Sequence, residues 1–100
     1  MRLVAAWIAV ASTLAPACAA PDIELGRYLA NQCMTCHRSA TAGGVAIPNI
    51  FGAAEQRLVT TIKAYRDKKL PNEVMQSQTA GLKDDEIEAL AAYFARTKRP

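Results

Sequence analysis

The sequence predicts an all-α domain with three main helices, and three observations carry that reading. Apolar residues recur at helical spacing in three stretches, around residues 23–36, 58–65 and 87–94. No stretch alternates apolar and polar residues long enough to make a strand. Helix punctuation brackets those stretches: Asp22 before the first, Pro71 after the second, and Asp84-Asp85-Glu86 at the start of the third.

The first helix is expected from about Pro21 to Cys36, with Asp22 offering a carboxylate to free backbone N–H groups. Ile23, Gly26, Ala30 and Cys33 share one face. Gly26 inside a helix costs about 1 kcal/mol against Ala, so close approach of another helix is the expected compensation. The stretch Ser39 to Gly52 reads as loop, with Gly43-Gly44 and then Ile47-Pro48-Asn49-Ile50-Phe51-Gly52. The second helix is expected from Ala54 to Lys69, apolar along Leu58, Val59, Ile62 and Tyr65 and wet along Lys63, Arg66 and Asp67. Pro71 is expected to stop it. Pro71 to Gly81 reads as a second loop carrying Met75. The third helix is expected from Asp84 to Thr97, with Ile87, Leu90, Ala91 and Phe94 facing the core. Its acidic start and its Arg96 and Lys98 near the end both complement the helix dipole. Lys83 has no acceptor, so Asp84 is the expected cap.

The first 19 residues stand apart from this pattern. Met1-Arg2 starts positive, an apolar run follows from Leu3 to Leu14, and Ala17-Cys18-Ala19 fits a small-residue cleavage site. This pattern is a secretory signal peptide, which assigns 1–19 to a removed leader, 20–100 to one domain, and the mature chain to the periplasm with no membrane span. The rival is an anchor, but Leu3 to Ala20 is only marginally long enough to cross a bilayer and is broken by Pro16. Cys18 could alternatively carry a lipid, although Ala15 stands where such sites use Leu. Residues 20–100 form a domain small enough to need a staple beyond its own core.

Cys33-Met34-Thr35-Cys36-His37 supplies that staple, because C-x-x-C-H is the c-type haem attachment pattern. Two sulfurs three residues apart on a helical turn can reach the two vinyl groups of one porphyrin. The next residue places an imidazole under the iron. A thioredoxin-like redox pair would need a βαβ pattern that is absent here. A structural zinc site usually needs four ligands, and Cys33, Cys36 and His37 are all that residues 20–100 offer from cysteine and histidine.

His37 is the only histidine, so a second axial ligand must be of another kind. Met34 lies inside the motif on the proximal side and cannot cross the ring. Met75 is the candidate, giving a cofactor-binding set of Cys33, Cys36, His37 and Met75, with His37 and Met75 on the metal. The alternatives are Met75 as core filler with a lysine on the iron, or an open distal site that binds small gases or substrate. His/Met ligation suits electron transfer, because a thioether favours ferrous iron and raises the potential.

Taken together, Gly26, Tyr28, CMTCH, Ile47-Pro48-Asn49-Ile50, Gly52, Leu58-Val59, Ile62-Lys63-Ala64-Tyr65-Arg66, Val74-Met75, Leu82 and the run from Asp85 to Ala95 resemble the short bacterial class I cytochromes c. The resemblance covers Gly26 to Thr97. It implies three main helices around one covalent haem, with the first and last helices crossing near Gly26 in the neighbourhood of Ala91. It implies Met75 as distal ligand and the Pro48 carbonyl as acceptor of a hydrogen bond from His37. Val74-Met75, the acidic helix start and Ala92-Tyr93-Phe94 are similar to the haem subunit of flavocytochrome c sulfide dehydrogenase. Ala53, Arg57 and Lys83 depart from residues common in relatives.

The function expected is a periplasmic electron carrier or electron-transfer subunit, not itself an enzyme, cycling Fe(II)/Fe(III). Its partners would be redox proteins, such as a flavoprotein sulfide dehydrogenase subunit or a terminal oxidase. A net charge of +3 excludes the strongly basic character of a nucleic-acid binder. Losing Arg2 with the leader lowers it to +2, and haem propionates bring it close to neutral. Partner attraction is therefore expected from patches: Lys63, Arg66, Lys68 and Lys69 beside Met75, and Asp84 to Glu88.

Overall fold

The computed structural model describes residues 2–13 and 20–100. Residues 2–13 form no helix or strand and leave Leu3, Val4, Trp7, Ile8 and Val10 exposed. The expected cleavage site at Ala17-Cys18-Ala19 lies outside the described residues.

Asp22 does cap the first helix, its carboxylate accepting from Leu25 N–H at 3.0 Å, and α1 runs Ile23–His37. The helix extends one residue past the expected end, so the whole C-x-x-C-H motif is helical. A two-stranded ribbon follows, β1 Thr41–Ala42 against β2 Val45–Ala46. No strand was expected here. Gly43 and Gly44 both hold positive φ, which a type I′ hairpin turn demands and which side chains resist.

The second helix, α2, spans Glu55–Arg66 and ends before Pro71 is reached. Backbone geometry, not proline, stops it. Lys68 turns left-handed at φ +59°, Lys68 N–H donates to Tyr65 O at 3.1 Å, and Lys69 N–H donates to Ala64 O at 2.8 Å. These two bonds are a Schellman motif with Lys where Gly is usual. A non-glycine residue there costs about 1–2 kcal/mol. Lys68→Gly should recover part of that, net of unfolded-chain entropy. A stabilisation of about 0.5–1 kcal/mol is expected, read as a thermal midpoint raised by about 3–6 °C.

The expected second loop contains a short helix, α3, Glu73–Thr79, capped by Asn72. The last helix, α4, spans Asp84–Ala95. The three expected main helices are therefore present, joined by a short fourth among the described residues. Asp84 does not cap α4. Lys83 holds the cap position with no acceptor, and Glu86 reaches back to accept from Lys83 N–H at 2.9 Å. That is half of a capping box.

The core lies between α1, α2 and α4. Ala30, Phe51, Leu58, Val59, Ile87, Leu90, Ala91 and Phe94 form one buried cluster. The expected apolar faces of α2 and α4 both point into it. The most extensive packing is α1 against α4, and it crosses at Gly26 as expected. The contact is one half-turn either side of Ala91: a Cβ on Gly26 would overlap the Ala89 carbonyl oxygen and lie 2.9 Å from Tyr93 Cβ.

Candidate functional site

The last turn of α1 carries Cys33, Cys36 and His37 together. Both cysteines are half-buried free thiols, and Cys33 also packs against the apolar core. Burial pushes the Cys33 thiol above its ordinary range. His37 is buried, 9 % exposed.

The loop after the ribbon is fastened so as to meet His37. Asn49 accepts from Phe51 N–H at 3.1 Å, closing a turn on itself. Gly52 turns at φ +72° and donates its N–H to Phe94 O at 2.8 Å, where α4 ends with free carbonyls. Phe51 stands edge-on to Phe94, ring centroids 5.1 Å apart. Held this way, the Pro48 carbonyl lies 2.9 Å from His37 Nδ1. A carbonyl only accepts, so Nδ1 carries the proton and Nε2 keeps its lone pair. The ring is thereby set in the tautomer and orientation a metal-binding imidazole needs.

Met75 lies on a different element from these residues. It stands half-buried on α3, which packs against α2 and not to any comparable extent against α1. Both of its backbone polar groups are held by side chains. Asn72 accepts from Met75 N–H at 3.0 Å, and the buried Thr79 hydroxyl donates to Met75 O at 2.7 Å. Gln76 donates to Leu70 O at 2.9 Å, tying α3 to the chain before it. Sequence reasoning missed Asn72 and Thr79. The signal was present in Pro71-Asn72-Glu73, a cap followed by an acidic first turn, but a seven-residue stretch with only Val74 and Met75 apolar shows no apolar period.

The two expected charge patches meet at Lys63, Arg66 and Asp84. Arg66 pairs with Asp67 at 2.9 Å and with Asp84 at 2.6 Å, and Lys63 lies 3.9 Å from Asp84. Hydrogen bonds from Arg66 hold both carboxylates below the usual carboxylate range. Arg66, expected on the wet face, has a side chain only 19 % exposed. Lys68 and Lys69 remain exposed at one end, Asp85 and Glu88 at the other.

These donors fit a c-type haem: two unpaired thiols one helical turn apart, and beside them an imidazole whose Nε2 is left free by its partner on Nδ1. A zinc reading has less support, because no group of three or more His, Cys, Asp or Glu side chains converges among the described residues. Among the described residues no helix is long and apolar enough to cross a membrane.

Known proteins agree with the geometry. Cytochrome c-554(548) of Halomonas halodenitrificans is 35 % identical over 80 residues, covering 76 % of this chain and 96 % of the relative. The thiosulfate dehydrogenase electron acceptor of Stutzerimonas stutzeri is 35 % identical over 68 residues, covering 64 % of this chain. The chain spans about a third of that relative's length, 32 %. Residues 23–98 match the family described as Cytochrome c, the span that runs from the start of α1 through the whole helical core. Helices, attachment motif and family match thus coincide on one span, and the chain belongs to the cytochrome c family, with the helical fold of its class I members.

Proposed function

We propose that residues 20–100 are a periplasmic one-electron carrier holding a single haem c. Cys33 and Cys36 would hold it through thioethers, and His37 and Met75 would be its iron ligands. The observation that carries this reading is the bond from His37 Nδ1 to Pro48 O at 2.9 Å, one residue after the second attachment cysteine. When bound, the haem supplies a one-electron ferrous/ferric couple. Pro48 strengthens and aims the His37 donor. Met75, carried on a separate element, would supply a thioether ligand that biases the couple toward the ferrous state. With side chains as both iron ligands the haem would offer no open position to a substrate, which supports electron transfer as the role of this chain.

The apolar run after Arg2 and the small residues before Ala20 support export by a signal peptide spanning residues 1–19. The partner is a redox protein. The relative named as the electron acceptor of thiosulfate dehydrogenase favours a donor enzyme that oxidises an inorganic sulfur compound. A flavoprotein sulfide dehydrogenase subunit belongs to the same class, and a terminal oxidase is the matching acceptor.

Mass spectrometry of the exported protein tests the attachment. Cys36→Ser should give a one-thioether product or fail to mature. The double variant Cys33→Ser, Cys36→Ser should lose its haem to acid–acetone. Haem retained by that double variant would overturn the assignment.

A further inference from the structure

The chain leaves α2 at Arg66 and enters α4 at Asp84, and the excursion between them carries α3 and Met75. One side chain holds both ends of it. Arg66 Nε donates to Asp67 Oδ1 at 2.9 Å and Nη2 to Asp67 Oδ2 at 3.4 Å, at the start. Arg66 Nη1 donates to Leu82 O at 3.2 Å and to Asp84 Oδ1 at 2.6 Å, at the end. The planar fork, with five fixed donors, serves four acceptor oxygens here; a lysine ammonium has only three donors on one atom.

Among the described residues no other side chain hydrogen-bonds to both ends of the excursion, although Lys63 lies 3.9 Å from Asp84 and Leu82 packs against the core. α3 rests mainly on α2, and Gln76 and Asn72 bond only within the segment. The α2–α4 packing, by contrast, has its own apolar contacts through Leu58, Val59, Ile87 and Leu90. Loss of Arg66 should therefore register in the segment before it registers in the core, as a local opening with a free energy below the global one.

We propose that Arg66 is a positioning residue for the sixth iron ligand. It closes the base of the Met75 segment and keeps α3 seated. This rests on Met75 as that ligand.

The test uses the holoprotein and the variants Arg66→Gln, Arg66→Lys and Asp84→Asn. Three signals are followed: the near-infrared thioether-to-ferric-iron band against temperature, far-UV circular dichroism over the same range, and carbon monoxide binding to the reduced protein. Arg66→Gln should keep its covalent haem and helix content. Its band should vanish well below the global melt. Its apparent carbon monoxide affinity should rise by about tenfold, as a tenfold larger open population requires. Arg66→Lys should recover only part of the loss. Asp84→Asn, which leaves Arg66 and Asp67 in place, should move the same signals in the same direction by less, and it carries the test if Arg66→Gln fails to fold.

The proposal is overturned if the band and the helix signal of Arg66→Gln, or of Asp84→Asn in its stead, disappear together as in the wild type with carbon monoxide affinity unchanged. A wild type that lacks the band and binds carbon monoxide readily overturns the Met75 assignment itself, and the proposal with it. The two failures are thus told apart in the unsubstituted protein.

Discussion

Replacing Met75 by histidine should lower the reduction potential by more than about 0.1 V, within the roughly 0.8 V that axial ligands span. Imidazole donates to ferric iron more strongly than a thioether does, so the oxidised state gains and the potential falls. The near-infrared thioether band should be lost at the same time. Met75→Ala should lose the band as well and open the reduced protein to carbon monoxide. If Met75 only packs its surroundings, both variants change stability and leave spectrum and potential where they were. In that case a lysine such as Lys69 or Lys83, or water, holds the sixth position, and the site becomes one that binds small ligands. The structure makes the substitution clean. The Asn72 and Thr79 side chains bond to the backbone of residue 75, so α3 keeps its cap and its 2.7 Å bond whatever side chain stands there.

Gly26 is the position where the smallest addition should cost most. Helix propensity alone favours Ala over Gly by about 1 kcal/mol, so an exposed Gly26→Ala would stabilise. Here the added Cβ meets the Ala89 backbone, with its carbonyl carbon 2.7 Å away, and backbone cannot swing aside as a side-chain tip can. α1 and α4 must therefore separate along their most extensive contact. Gly26→Ala should lower the thermal midpoint despite its better propensity. Gly26→Val should cost about 3 kcal/mol or more, at the upper end of what overpacking does, or a midpoint lower by about 12–24 °C for a domain of this size. Thermal melts of the holoprotein give the sign. An unchanged or raised midpoint for Gly26→Ala would mean that the helices do not cross there.

Where helix signals were strong, they sufficed. Asp22 reads as a cap and is one, and the Ile87, Leu90, Ala91, Phe94 period reads as a buried face and is one. Where a segment is short, with Val74 and Met75 its only apolar residues, periodicity has too little to act on, and the sequence of α3 reads as loop. Pro71 reads as a helix stop, yet Lys68 ends α2 first, through backbone hydrogen bonds at a left-handed φ that sequence signals only where Gly stands. Charges misled for a related reason. Along the chain, Lys63 and Arg66 lie far from Asp84, and a row of like charges looks like a patch until the fold brings its counterions alongside.

The covalent chemistry of the site was legible in five consecutive residues, because two thiols and an imidazole at that spacing need only one helical turn to act together. The family and the all-α class were legible in the order of loose motifs and in local periodicity. Each of these rests on neighbours within a turn or two. Tertiary structure alone decided everything that joins distant residues: that Pro48 meets His37 Nδ1 and frees Nε2, that Gly26 lies against Ala89 and Tyr93, and that Arg66 fastens both ends of the segment bearing Met75. Those contacts depend on how α4 lies across α1 and α2. That placement is set by the packing of the whole apolar core, a sum over many residues that no local pattern contains.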